Sequence, residues 1–229
     1  MEFYNIVKRS NNIITAPHCS SLTLDNNTTT GASDRGTDMV AQCVGEDLNF
    51  TVITSNYSRL VLDFNSPRNE AIPTKFNHHE IAEVSEEEKT SRLKHYDQYF
   101  QALTGFIEDG SFHVSLHSMS PVGMKSSKDE GVKRPDFRIG TLNGKTADKK
   151  RATHLKKVLE DRGYSVELNN IFCGKEEIRR SHEAGAESVQ IEINSKFLLN
   201  LEEQTIDTAK MMDTAELVTD MIKEFMNFR

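Results

Sequence analysis

The chain lacks the features that mark several large functional classes. No apolar run approaches the roughly 20 residues needed to cross a bilayer. Met1-Glu2-Phe3-Tyr4-Asn5 shows no charged region followed by an apolar stretch, so no signal peptide is expected. There are three cysteines, Cys19, Cys43 and Cys173, an odd number without a Cys-x-x-Cys motif. This excludes a disulfide framework and suggests a reduced, cytoplasmic protein. Basic charge is in deficit: Lys and Arg number 28 against 35 Asp and Glu, giving a formal net charge of −7. Such a surface repels phosphate backbones, so neither nucleic acid nor membrane is an expected partner. Internal repeats, low-complexity tails and the compact metalloprotease motif His-Glu-x-x-His are also missing.

What remains is the composition of a globular protein, with 36% hydrophobic and 28% charged residues. A length of 229 residues suits a single α/β domain spanning 1–229 better than two domains. Short apolar strands alternate with amphipathic helices. Strands are expected at Asn12 to Ala16, Phe50 to Thr54, Arg59 to Phe64, Phe112 to His117, Arg134 to Gly140, Ser165 to Leu168 and Ser188 to Asn194. Helices are expected from Thr37 to Asp47, from a capping box at Ser85 and Glu88 onward to Asp109-Gly110, from Ala147 to Arg162, and from Thr205 to Asn227. Polar loops run from Ser20 to Ala32, Asn65 to Glu83 and Ser118 to Lys133. The alternation implies an α/β fold with a mostly parallel or mixed sheet. In such sheets ligands bind beyond the carboxyl ends of strands, which singles out His18, the residues after Phe64, His117 and Glu192.

Each of these positions has an ordinary reading as well as a chemical one. His18, in Ala16-Pro17-His18-Cys19, can be a plain loop histidine, and His117 a satisfied core histidine. Asp34 and Asp38 precede or open a helix, where a carboxylate caps free amides. On the Phe112 to His117 strand, His113, Ser115 and His117 share the face opposite Phe112, Val114 and Leu116. Glu192 is the most telling residue, a carboxylate on a strand whose other face is Val189, Ile191 and Ile193. A buried charge needs a partner, a raised pKa or a wet cleft, and these are also the surroundings of a general base. Two histidines, one or two aspartates and a separate glutamate fit a zinc site with an open position. The other histidines, His78, His79, His95, His113, His154 and His182, read as surface or packing residues.

In their order, the following segments resemble the N-formylglutamate amidohydrolase family: Pro17-His18-Cys19-Ser20, Ser33-Asp34-Arg35-Gly36-Thr37-Asp38, Ser58-Arg59-Leu60-Val61-Leu62-Asp63-Phe64-Asn65, His117-Ser118-Met119, Arg134-Pro135-Asp136-Phe137-Arg138-Ile139-Gly140-Thr141 and Val189-Gln190-Ile191-Glu192-Ile193-Asn194, with weaker matches at Leu168-Asn169-Asn170-Ile171-Phe172-Cys173-Gly174-Lys175 and Ile178-Arg179-Arg180. The resemblance implies a three-layer α/β/α sandwich related to zinc carboxypeptidases, with a mixed, mostly parallel central sheet. It implies one zinc per chain and hydrolysis of a small N-acyl amino acid, giving formate and glutamate in the named members. By it, His18 and His117 are metal ligands, Asp34 is the carboxylate ligand with Asp38 the runner-up, and Glu192 is the general base. Arg59, Asn65, Arg134 and Arg180 fall on motifs that hold the substrate carboxylates or polarise its carbonyl; as structural partners, Asp63 and Asp136 would suit Arg59 and Arg134. Two departures stand out. Cys19-Ser20-Ser21 replaces the family's Ser-Gly after the first histidine. The family's Asp-x-Asn-Arg becomes Asp63-Phe64-Asn65-Ser66, with Arg68 two places late. These departures leave room for a deacylase or peptidase of a larger conjugate, or for a binding protein on the same fold.

Overall fold

The structure, a computed structural model of the chain, describes residues 2–23, 32–76, 79–81, 83–125 and 127–228. In chain order the elements are β1 (Tyr4–Val7), β2 (Ile13–Ala16), α1 (Thr37–Asp47), β3 (Thr51–Ser55), β4 (Lys75–Phe76), β5 (His79–Glu80), α2 (Glu86–Gly105), β6 (Phe112–Met119), β7 (Phe137–Gly140), α3 (Lys149–Asp161), β8 (Val166–Leu168), α4 (Glu176–Glu183), β9 (Glu187–Asn194), β10 (Leu199–Asn200), β11 (Thr205–Ile206) and α5 (Thr208–Asn227). Seven strands form one sheet in the order β1-β3-β2-β6-β9-β7-β8. Strands β3, β2, β6 and β9 run parallel; β7 and β8 run against them, and β1 is antiparallel to β3. The sheet is thus mixed and mostly parallel, flanked by helices on both faces.

The two faces differ in chemistry, and this positions the site. One face carries Ile14, Val114, Leu116, Ile139, Val189 and Ile191 against α1, α3 and α5, in one continuous apolar core. Helix α5 meets it with Val218, Met221, Ile222 and Phe225, all 1% exposed or less. Their three- and four-residue spacing makes a single apolar stripe. Burying each such side chain stabilises the fold by roughly 1.5–3 kcal/mol. The other face is apolar only at its β3 side, where Ile13 and Ile53 meet Tyr96, Tyr99, Phe100 and Leu103 of α2. Along β6 and β9 that face is polar yet buried: His113, Ser115, His117, Gln190 and Glu192 are each 5% exposed or less.

The expected helix boundaries at Thr37 and Asp47 are those of α1. Ser85 caps α2 by accepting from the Glu88 amide at 3.2 Å. The Glu88 carboxylate pairs with Arg92 four residues on. One expectation is corrected: Arg59 to Phe64 is not a strand but a turn, with the Val61 amide donating to Ser58 O at 2.8 Å and the Asp63 amide to Ala71 O at 2.7 Å. Its apolar residues Val61, Leu62 and Phe64 pack into the core beneath α2. The run therefore reported burial, and the chain satisfies its backbone in turns instead of a ladder. Of the polar loop from Ser20 to Ala32, residues 24–31 lie outside the described residues, as do 77, 78 and 82 of the next loop and 126 of the third.

Candidate active site

Three parallel strands deliver the principal side chains. His18 follows β2 by two residues, His117 lies near the end of β6, and Glu192 lies near the end of β9. The in-register pairing His117↔Glu192 sets the last two side by side on the polar face. Asp34 enters from the segment before α1, and its amide donates to His18 O at 2.8 Å. Its carboxylate does not cap that helix: the N-cap is Gly36, with φ of 86° and no side-chain bond. Instead, Asp34 Oδ2 lies 3.0 Å from His117 Nδ1 and 3.5 Å from His18 Nδ1. One ligand atom from each of His18, Asp34 and His117 lies within 4.8 Å of the others, and all three residues are buried. Asp38 is not part of this group.

The three residues suit a cation. His18 Nδ1 is buried and has no hydrogen-bond partner among the described residues. Its other nitrogen, Nε2, donates to Asp63 Oδ1 at 2.8 Å. A carboxylate that fixes the far side of an imidazole leaves the near lone pair aimed into the site, the usual supporting arrangement around a metal. Asp63 is itself tied to Arg59 at 2.9 Å and to the Ser66 hydroxyl at 3.1 Å. Burial and then Arg59 oppose protonation of His18, but Asp63 and Asp34 outweigh them and hold its pKa above the usual histidine value. The same carboxylates would favour a metal cation in the proton's place. Asp34 shows the reciprocal effect: burial works against its charge, yet His117 and His18 hold its carboxyl below the ordinary range.

Glu192 is 5% exposed and accepts from Gln190 Nε2 at 2.8 Å. Burial raises its pKa above the ordinary glutamate value, with nearby His117 working against this and Asp34 adding to it. A buried carboxyl with a raised pKa has the character a general base requires.

These groups lie at the floor of a cleft of about 690 Å³, lined also by Arg59, Asn65, Met124, Arg134, Phe172 and Cys173. The Phe172–Gly174 wall closes on the sheet because Gly140 lacks a side chain; a Cβ there would stand 2.6 Å from the Cys173 carbonyl carbon. Asn65 reaches the floor, with Nδ2 at 3.1 Å from His117 Nε2. Arg59 keeps its expected partner Asp63. Arg134 lines the cleft, but its guanidinium is held by both oxygens of Asp129 at 2.8 Å and by Ser120 at 2.9 Å, while Asp136 pairs with Lys196. Arg180 is not among the cleft residues: it donates to Glu176 at 2.7 Å and lies over Phe100, 4.4 Å from the ring centre. Arg68 does not replace the arginine missing at Ser66, because Asp97 holds it in a two-point pair at 2.8 and 2.9 Å.

This arrangement agrees with what is similar to the chain. The family model described as N-formylglutamate amidohydrolase matches residues 9–199. The chain belongs to the N-formylglutamate amidohydrolase family. Its fold is similar to that of a crystallised N-formylglutamate amidohydrolase from Ralstonia eutropha JMP134, with a TM-score of 0.82, 18% identity and 99% of each chain covered. An Agrobacterium tumefaciens gene product is similar at a TM-score of 0.73 and 20% identity, covering 98% of this chain and 95% of that one. A bacteriophage poly-γ-glutamate hydrolase is similar at a TM-score of 0.52 and 14% identity, covering 98% and 90%. A search of curated proteins gives no match. Membership makes the chain a hydrolase of this family, and His18, Asp34 and His117 stand at metal-ligand spacing.

Reasoning from sequence did not reach the supporting residues. Sequence spacing pairs Asp63 with Arg59 and carries no sign of its bond to His18. Ser115 and Gln190 were signalled only by sharing a strand face with His117 and Glu192. Glu177 gave no signal, because a Glu-Glu-Ile-Arg-Arg segment reads as a solvated helix. Of the remaining histidines, His113 is buried, His95 stacks on Phe3 at 4.3 Å and His154 on Phe228 at 4.3 Å. His78 lies outside the described residues.

Proposed function

We propose that the protein is a zinc-dependent amidohydrolase that cleaves the amide bond of a small N-acyl amino acid, with N-formyl-L-glutamate the first compound to test. The observation that carries this reading is the register of β6 and β9, which sets a carboxyl of raised pKa beside a His-Asp-His group. His18, Asp34 and His117 would hold the ion, leaving a fourth position open. When bound, the ion supplies Lewis acidity, which polarises a carbonyl and acidifies a water. Glu192 takes the proton of the attacking water and returns it to the leaving amine. Arg59, at the cleft edge, orients a carboxylate or carbonyl oxygen of the substrate. Asn65 acts from the floor, and Arg134 shapes the cleft by holding Asp129.

The test is release of amine from a panel of N-acyl amino acids by the zinc-loaded protein and its Glu192→Gln variant. A fall of about 10²–10⁴ in kcat at unchanged zinc content is expected for the loss of a general base. Undiminished turnover by the variant would remove Glu192 from that role.

A second reading, deacylation of a larger conjugate on the same site, has its own support. Arg68 pairs with Asp97 on the surface and does not line the cleft of about 690 Å³, and the Ser66 hydroxyl donates to Asp63. Turnover of long-chain or peptidyl substrates in preference to formyl-glutamate would favour it.

A further inference from the structure

Beneath the proposed metal ligands lies a second carboxylate that the proposed chemistry does not use. Glu177 is 0% exposed, in the first turn of α4, on the polar face of the sheet. Three hydroxyls donate to it. Tyr99 bonds Oε1, while Thr15, at 3.0 Å, and Ser115 both bond Oε2. A carboxylate can only accept, so the directions of these three O–H groups are fixed.

That direction has a consequence for His117. Ser115 Oγ also lies 3.0 Å from His117 Nε2. Its single proton is committed to Glu177, so towards His117 it can offer only a lone pair. Facing Ser115, Nε2 carries the ring proton and Nδ1 is left as a lone pair on the side of Asp34 and His18. The other neighbour of Nε2 asks for the opposite. The Asn65 carbonyl oxygen accepts from the Glu177 amide at 3.4 Å, which turns its NH2 towards Nε2 at 3.1 Å and Gln190 Oε1 at 3.2 Å. Facing Asn65, Nε2 accepts, and the proton sits on Nδ1, donated to Asp34. Both neighbours of Nε2 are thus set by one residue, Ser115 through the Glu177 carboxylate and Asn65 through its amide. A metal ligand at Nδ1 requires the first tautomer, in which the far nitrogen donates to a fixed acceptor.

Resting on the hydrolase reading above, we propose that Ser115, oriented by Glu177, is a positioning residue that selects the His117 tautomer able to bind metal through Nδ1. No proton is gained or lost: the ring proton moves from Nδ1 to Nε2 and is accepted by Ser115. Thr15 serves as an internal control. It donates to the same Glu177 oxygen from an equally buried position, yet touches His113 and none of the three ligands.

The test measures zinc dissociation constants by competition with a chromophoric chelator. Ser115→Ala is expected to weaken zinc binding 10–100-fold, the usual effect of losing such a supporting partner. Ser115→Thr, which keeps the hydroxyl, is expected to restore it, and Thr15→Val to stay within about threefold of the parent. In the unmutated protein, 15N imidazole spectra with zinc should show His117 protonated at Nε2 and bound through Nδ1; this holds the proposal to account even where a variant fails to fold. Parent-like affinity in Ser115→Ala, or His117 bound through Nε2, overturns the proposal while leaving the metal site standing. A parent protein that takes up no zinc overturns both.

Discussion

His113 gives the folded protein a defined sensitivity to acid. The ring is 0% exposed, on the polar face of β6 beneath α4. Burial, and secondarily His117, lowers its pKa from 6.5 to about 3. The unfolded chain binds a proton below about pH 6.5 that the folded chain refuses until about pH 3. The contribution is therefore fully present above the unfolded value and is lost as pH falls through this window. Each unit of pKa difference corresponds to about 1.4 kcal/mol, so passing from pH 7 to pH 5 should cost about 2 kcal/mol through this group. Urea unfolding at both pH values, on the parent and on His113→Leu, isolates the effect. The variant leaves Thr15 donating to Glu177 and removes only the titrating ring. The parent should lose about 2 kcal/mol more than the variant between the two pH values. Equal losses within about 0.5 kcal/mol would mean that His113 accepts a proton in the fold, and the reasoning from its burial would fail.

Asp63→Asn leaves His18 without its carboxylate partner and should weaken zinc binding 10–100-fold, read by chelator competition. Asp129→Ala strands the buried guanidinium of Arg134 and should cost about 3–5 kcal/mol in urea unfolding near neutral pH. The hydrogen bonds from Arg134 hold the Asp129 carboxyl below its usual range, so this contribution is present above the ordinary aspartate pKa and fades as pH falls below it. Leu116→Ala, on the apolar face of β6 and 0% exposed, should cost about 2–5 kcal/mol with zinc affinity unchanged, separating core packing from site geometry.

The parts of the site that were legible in the sequence are those written as local pattern. Alternation along Phe112 to His117 divided β6 into an apolar and a polar face, and the structure keeps that division. A carboxylate inside Val189-Gln190-Ile191-Glu192-Ile193 stood out because its neighbours demanded burial. The Arg59 to Phe64 run misled for the same reason: apolar composition reports burial, and here a turn is what is buried. Arg134 pairs with Asp129, five residues back, because the intervening loop folds over Gly123, where a Cβ would stand 1.7 Å from Asp129 O. Helix α4 is not legible because its buried Glu177 is satisfied by partners drawn from distant segments, Thr15, Tyr99 and Ser115, while Glu176 pairs within the helix with Arg179 and Arg180 and reads as a solvated charge. Nothing local signals such long-range pairing.

The central claim is a metal held by His18, Asp34 and His117, and its most direct test is the metal content of the purified protein beside His117→Ala. The account predicts about one zinc per chain in the parent, lost in the variant. A parent that stays empty when zinc is supplied, or a variant that retains the ion, would contradict it.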